Sequence, residues 1–358
     1  MKKKTILHFI YSLGRGGAET MLVRVLKELP EYKNIVVTLK EDNHFTMELQ
    51  CDEYLCLHKP SLLSITIAAS QLKKIIKKYK VDIVHSHLPQ SNFVARLATP
   101  PHIPLITTIH TSIATAIDYK KWYIRLLDKF TYKYRSSIII AVSQGALNDY
   151  FSILKLKPEI THVLYTFVDT RQYDSTEHFN FDNKKIRIIS IGALRKGKNY
   201  PYLIQAFKKI KNQSIELHIY GDGPEKEYLQ KLIDTEKLPI LLKGQVENIH
   251  EVLPKYNLFV MSSMFEGFSL SVLEAMAAKL PLLLSDIVSF NEQCRDCAIY
   301  FDLDDSDDFV RKLNLLISNE ELLYTMSSKA NKRVLDNFTL QHHVTQLKDI
   351  YKAAIEGA

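Results

Sequence analysis

The chain is poor in cysteine, with four among 358 residues. Cys294 and Cys297 form a lone C-x-x-C, and Cys51 and Cys56 supply no matching pair. That argues against a disulfide framework and a four-ligand structural zinc site, and it suits a reducing, cytoplasmic compartment. No apolar run reaches the ~18–20 residues that cross a bilayer. No segment is low in complexity, and nothing repeats at a period of about 20–50 residues, which excludes solenoids. The opening MKKKTILHFIYSLGRGG places lysines before an apolar run, as a signal peptide does. The run is short, contains His8 and leads into Arg15 without a small-residue cleavage pattern, so it reads as a buried first strand.

What is present is ordinary for a globular protein: 46% hydrophobic and 24% charged residues, in a length that suits about two domains. The net charge of +7 is uneven. Residues 1–175 carry 24 Lys+Arg against 15 Asp+Glu, and residues 176–358 carry 23 against 25. A basic front half suggests an anionic partner, a membrane surface or a charged polymer. The lysines are scattered over several helical segments and no nucleic-acid-binding motif appears, so nucleic acid is not expected.

Short, continuously apolar runs alternate with longer periodic ones. Strands are predicted at 5–11, 34–39, 81–85, 104–110 and 137–142, with helices at 17–29, 62–79 and 119–135. Continuous rather than alternating hydrophobicity marks parallel strands covered on both faces. A polar stretch, residues 166–185, reads as a linker. The alternation restarts with strands at 186–192, 215–221, 239–244, 257–262 and 281–285, and residues 305–355 read as wholly helical. The fold class is α/β: two doubly wound, Rossmann-like domains, 1–165 and 186–337. Ligands in such folds sit at the carboxyl ends of the strands, and the cleft between two domains is the natural site.

Several motifs fall at those strand ends. SLGRGGAET (12–20) brings Gly14, Gly16 and Gly17 to the start of a helix, but Glu19 occupies the third glycine position of a dinucleotide fingerprint. A ligand loop fits better than a dehydrogenase. His85, His87 and His110 lie near strand ends; zinc lacks a fourth ligand there, and packing is the simpler account of His85 and His87. IGALRKGKN (191–199) clusters Arg195, Lys196 and Lys198 before a helix, which suits a phosphate. FEGFSLSVLEAMAAKLP (265–281) carries Glu266 and Glu274 eight positions apart. Ser271 and Glu274 fit the S-x-x-E capping box. Glu266 has no such role, and the amides of Phe268, Ser269 and Leu270 near the helix start would favour an anion.

SLGRGGAET, IGALRKGKN, YGDGP and FEGFSLSVLEAMA, in this order and at these separations, resemble the family 4 retaining glycosyltransferases over nearly the whole chain. The resemblance implies the GT-B fold, a nucleotide-sugar donor bound mainly by residues 186–337, an acceptor-side domain 1–165 and no catalytic metal. It also implies a last helix, 338–358, that returns to the first domain. UDP-sugar is the expected donor, with no cofactor. Donor binding is expected from Gly16, Gly17, Arg195, Lys198, Glu266, Gly267, Phe268, Ser269, Leu270 and Glu274. His110 and Glu266 are expected at the reacting sugar, with Glu274 on the ribose and Lys198 on the diphosphate. Many members have Arg where this chain has Ala193, so Arg195 is expected to reach the phosphates instead. A nucleotide-sugar epimerase or phosphorylase of the same architecture is the alternative. In YKKWYIRLLDKFTYKYR (119–135), Tyr123, Leu126, Leu127, Phe130 and Tyr134 share one helical face among basic residues, which suits an anionic bilayer and a lipid-linked acceptor.

Overall fold

The structure, a computed structural model, describes residues 3–14, 16–116, 118–157, 159–173, 185–212 and 214–357. Of the expected linker, residues 174–184 lie outside the described residues, as does Arg15. The chain divides into two compact units, Met1–Thr166 with Leu340–Ala358, and Phe167–Thr339.

The first unit is built on seven parallel strands: β1 (Thr5–Ile10), β2 (Lys33–Thr38), β3 (Glu53–Cys56), β4 (Ile83–His87), β5 (Leu105–Ile109), β6 (Ile138–Ala141) and β7 (Thr161–Val163). Their order is β3-β2-β1-β4-β5-β6-β7, so the winding reverses between β1 and β4. Central strands β1, β4 and β5 are buried along their whole length, because helices cover both faces. Leu7 and Phe9 point into the main core, while Ile10 packs with Ala18, Leu22 and Leu26 of helix Gly17–Lys27 on the other side.

The second unit has six parallel strands: β8 (Ile186–Ile191), β9 (Ile215–Tyr220), β10 (Ile240–Gly244), β11 (Leu258–Met261), β12 (Leu282–Ser285) and β13 (Ile299–Phe301). The order β10-β9-β8-β11-β12-β13 puts its reversal between β8 and β11. Both units are therefore doubly wound Rossmann-like sheets, and each opens a crevice beyond the carboxyl ends of its two central strands. Residues 305–355 form three helices: Ser306–Ile317, Glu320–Asn337 and Leu340–Glu356. The second starts where the Asn319 side chain accepts from the Leu322 amide.

Helix Trp122–Tyr134 turns its aromatic stripe outward. Trp122, Phe130 and Tyr134 are 73%, 62% and 67% exposed, and Tyr123 and Leu126 are exposed as well. Ile124, Asp128, Thr131 and Tyr132 face inward. The reason is a buried ion pair. Asp128 takes the guanidinium of the fully buried Arg96 and also accepts from the Tyr119 and Tyr150 hydroxyls. An unpaired buried charge is costly, so this network sets which face of the helix goes in.

Candidate active site

In the second unit the site grows from the ends of β8 and β11. β8 is followed directly by Gly192, where a Cβ would come 2.9 Å from Lys198 Cε and 3.1 Å from the Tyr200 hydroxyl. The missing side chain lets Lys198 lie across the strand end. A short turn, Lys196–Lys198, carries it there, and the lysine is buried. Lys198 Nζ donates to Glu266 Oε1 at 2.6 Å, and the same carboxylate oxygen accepts from Ser263 Oγ at 2.7 Å.

The two loops that bear this pair are tied together. Met264 N donates to Gly197 O at 2.9 Å, and the Phe265 ring sits where a Cβ on Gly197 would be. Ser262 Oγ bonds the carbonyls of Lys198 and Asn199. Gly221, at φ +146°, brings its backbone against the Gly192 carbonyl, an approach that any Cβ would block. Arg195 is exposed on this loop and makes no ion pair among the described residues. Gly192, Lys198 and Glu266 thus meet at one strand end, with Arg195 beside them.

The helix after Glu266 corrects two expectations. It runs Leu270–Ala277 with Ser269 as N-cap, so Ser271 is its second residue and Ser271 with Glu274 cannot form a capping box. Glu274 is half-buried one turn further along. The Ser269 amide is not open to an anion either: it donates to Gln293 Oε1 at 3.0 Å, while Gln293 Nε2 donates back to Ser269 O. Gln293 is fully buried and carried no sequence signal. No hydrogen bond from the Gly267 or Leu270 amide forms among the described residues.

In the first unit the glycine loop leads into helix Gly17–Lys27, with Gly16 extended as N-cap. The Glu19 carboxylate folds back against Gly16, where a Cβ would stand, and bonds its own backbone amide. Burial holds the Glu19 carboxyl above the usual carboxylate range.

Beside it, five histidines converge. His8 and His85 are direct partners in the β1–β4 register, and His87 follows on the same face of β4. His85 takes the Tyr351 hydroxyl on Nδ1 and the Thr108 hydroxyl on Nε2, both at 2.7 Å. His87 Nδ1 lies 3.1 Å from His110 Nε2, and His343 Nδ1 lies 2.8 Å from Tyr165 O. With Met21, Leu22 and Leu347 they line a pocket. Burial pushes His8, His110 and His343 down to about 4 and lowers His85 and His87 as well, so all five are neutral at pH 7. His85, His87 and His110 were legible as strand-end histidines. His8 and His343 were not, because they are distant in sequence and meet the others only through strand register and the last helix.

Two family models cover most of the chain: Glycosyltransferase Family 4 over residues 15–172 and Glycosyl transferases group 1 over residues 173–333. A Campylobacter jejuni N-acetylgalactosamine-N,N'-diacetylbacillosaminyl-diphospho-undecaprenol 4-alpha-N-acetylgalactosaminyltransferase is 26% identical over 91% of this chain and 93% of its own length. An Escherichia coli UDP-Gal:alpha-D-GlcNAc-diphosphoundecaprenol alpha-1,3-galactosyltransferase is 25% identical over 81% of this chain and 80% of its own. Among solved structures, Anabaena HepE in complex with UDP and glucose superposes with a TM-score of 0.83 at 16% identity, covering 98% of this chain and all of that one. The apo lipopolysaccharide outer core galactosyltransferase WaaB gives 0.77 at 18%, over 99% of both. With two doubly wound sheets, glycine-opened strand ends and both family models in sequence, the chain belongs to the family 4, group 1 glycosyltransferases and has the GT-B fold.

Proposed function

We propose that this glycosyltransferase moves a sugar, with retention, from a UDP-sugar to a hydroxyl of a lipid-linked saccharide in cell-surface polysaccharide or glycolipid synthesis. The observation that carries the donor reading is the nearly buried Lys198–Glu266 pair at the end of β8, with Arg195, which makes no ion pair among the described residues, on the same loop. Lys198 and Arg195 neutralise the diphosphate as it departs, which removes the need for a metal. Glu266 accepts from the sugar hydroxyls and Glu274 from the ribose. The amides of Gly267 and Leu270 are free to meet the donor's oxygens, and Phe268 and Ser269 shape that loop around them. Gly16 and Gly17, backed by the Glu19 carboxylate, suit sugar hydroxyls better than phosphate, because a carboxylate accepts and cannot donate.

The anomeric carbon–oxygen bond to the diphosphate breaks, and the acceptor oxygen bonds the same face of the carbon. The acceptor's proton passes to the departing diphosphate, and no covalent nucleophile is assigned. Neutral His110 keeps a lone pair for a sugar hydroxyl.

The acceptor reading draws on helix Trp122–Tyr134. Its exposed Trp122, Leu126, Phe130 and Tyr134 are flanked by the exposed cations Lys120, Lys121, Arg125 and Lys133, a composition that rests on an anionic bilayer. No helix among the described residues is long and apolar enough to cross a membrane. The relatives named above act, by their names, on undecaprenol-linked sugars. A thermal-shift panel of nucleotide sugars tests the reading. UDP-sugars should raise the melting temperature and release UDP on adding a lipid-linked saccharide. A shift with GDP- or ADP-sugars alone would replace the donor assignment.

A further inference from the structure

We propose that His8, His85 and His87 form a zinc-class divalent metal site inside the first unit. Their ligating nitrogens all lie within 4.8 Å of one another, and this is the only such group of three among the described residues. Zinc–nitrogen bonds of about 2.0–2.1 Å set tetrahedral ligands roughly 3.3 Å apart, so small ring rotations close the triad onto an ion. The strands supply the alignment: His8 opposes His85 across the parallel β1–β4 pair, and His87 lies two residues on, on the same face.

Two nitrogens call for an occupant. His8 Nδ1 and His87 Nε2 are buried and make no hydrogen bond. Buried polar atoms are ordinarily satisfied, and both of these belong to the triad. Their opposite nitrogens are already oriented as outer ligands require. His8 Nε2 lies 3.2 Å from Asn34 Oδ1, which can only accept from it, so the proton sits on Nε2 and the lone pair on Nδ1. His87 Nδ1 faces His110 Nε2. His85 binds a hydroxyl on each nitrogen, so a metal displaces the hydroxyl that donates to its unprotonated nitrogen, while the other N–H donates to the remaining hydroxyl.

Ligand type selects the ion. All donors are imidazoles, with no carboxylate in the group, which favours zinc, cobalt, nickel or copper over magnesium or calcium. Three protein ligands leave a fourth position for water from the pocket that these side chains line. A metal on His87 Nε2 also requires a proton on His87 Nδ1, which then donates to His110 Nε2 and fixes the tautomer of His110. The site is independent of the donor reading, and the Lys198–Glu266 chemistry does not draw on it.

The test uses untagged protein stripped with EDTA and dialysed. Cobalt(II) should titrate to one equivalent with the intense visible bands of four-coordinate cobalt, and zinc should bleach them. Zinc should raise the melting temperature by several degrees through mass action. His87→Gln should weaken cobalt binding at least ten-fold, whereas His44→Gln, at an exposed site, should not. Absence of the visible bands at about 100 µM cobalt would overturn the proposal. So would unchanged binding in His87→Gln. Should His87→Gln not fold, the bands and the zinc-induced shift in the unsubstituted protein decide alone.

Discussion

Lys198 Nζ stands 2.6 Å from Glu266 Oε1, with the two side chains only 10% and 11% exposed. Each charge is the other's main compensation for lost water. A donor arriving here does not meet a bare lysine: its diphosphate competes with a carboxylate for the ammonium. Glu266→Gln frees Lys198, so affinity for UDP alone should hold or tighten while turnover falls ten-fold or more. Lys198→Met should instead weaken UDP binding by about ten-fold or more, the scale of a charge-assisted hydrogen bond at roughly 1.5–3 kcal/mol. Calorimetry with UDP and steady-state turnover separate the two. Wild-type turnover in Glu266→Gln would remove Glu266 from the site.

Glu274 lies beyond the cap of its helix, since Ser269 is the N-cap. Glu274→Gln should leave the melting temperature nearly unchanged and weaken donor binding about ten-fold. That outcome reads a lost charge-assisted bond to the ribose rather than a lost cap, which would cost about 0.5–2 kcal/mol of stability. Donor titration beside a thermal melt checks it, and intact donor affinity would speak against the ribose role.

If Lys198, Arg195 and loop amides hold the diphosphate, turnover should survive EDTA. Loss of activity in the chelator, restored by magnesium or manganese, would reassign the phosphate contacts to a metal.

The histidine cluster makes stability depend on pH in a stated direction. His8, His110 and His343 titrate at about 4 in the folded chain and near 6.5 when unfolded. The unfolded chain binds more protons between those values, so this stability is complete above about pH 6.5 and is lost as pH falls toward 4. The slope reaches about 1.4 kcal/mol per pH step for each histidine that takes up a full proton on unfolding. Urea midpoints of metal-free protein across this range measure it, and His343→Gln should flatten the curve. Midpoints that stay level from pH 6.5 to 4.5 would contradict the burial argument.

The exposed aromatic face of helix Trp122–Tyr134 should bring the protein up with anionic vesicles in a flotation gradient at low salt. Raising the salt should release it. Trp122→Ala with Phe130→Ala should abolish flotation without altering the melt, because neither side chain is buried. Equal recovery on neutral and anionic vesicles would refute the membrane contact.

The sequence determined ten of the thirteen strands among the described residues, nine of them interior strands whose apolar runs suit a sheet covered on both faces and one, β10, at an edge. It did not disclose β3, β7 or β13, the short strands at or near sheet edges, where one neighbour is missing and the residues are mostly half-buried or exposed. Residues 305–355 carried helical character throughout, but their two breaks depend on local caps that periodicity does not register. Glu266, Lys198 and His110 were legible from spacing at strand ends. That Lys198 reaches Glu266 was not, since 68 residues separate them and only the β8–β11 adjacency joins their loops. The same holds for His8 with His85 and His87: a parallel register brings three isolated letters onto one face. The outward turn of Trp122 and Phe130 was likewise decided by tertiary structure. Helical spacing defines a stripe, but the buried Arg96–Asp128 pair chooses which stripe faces inward, because burying the charge unpaired costs more than exposing the rings.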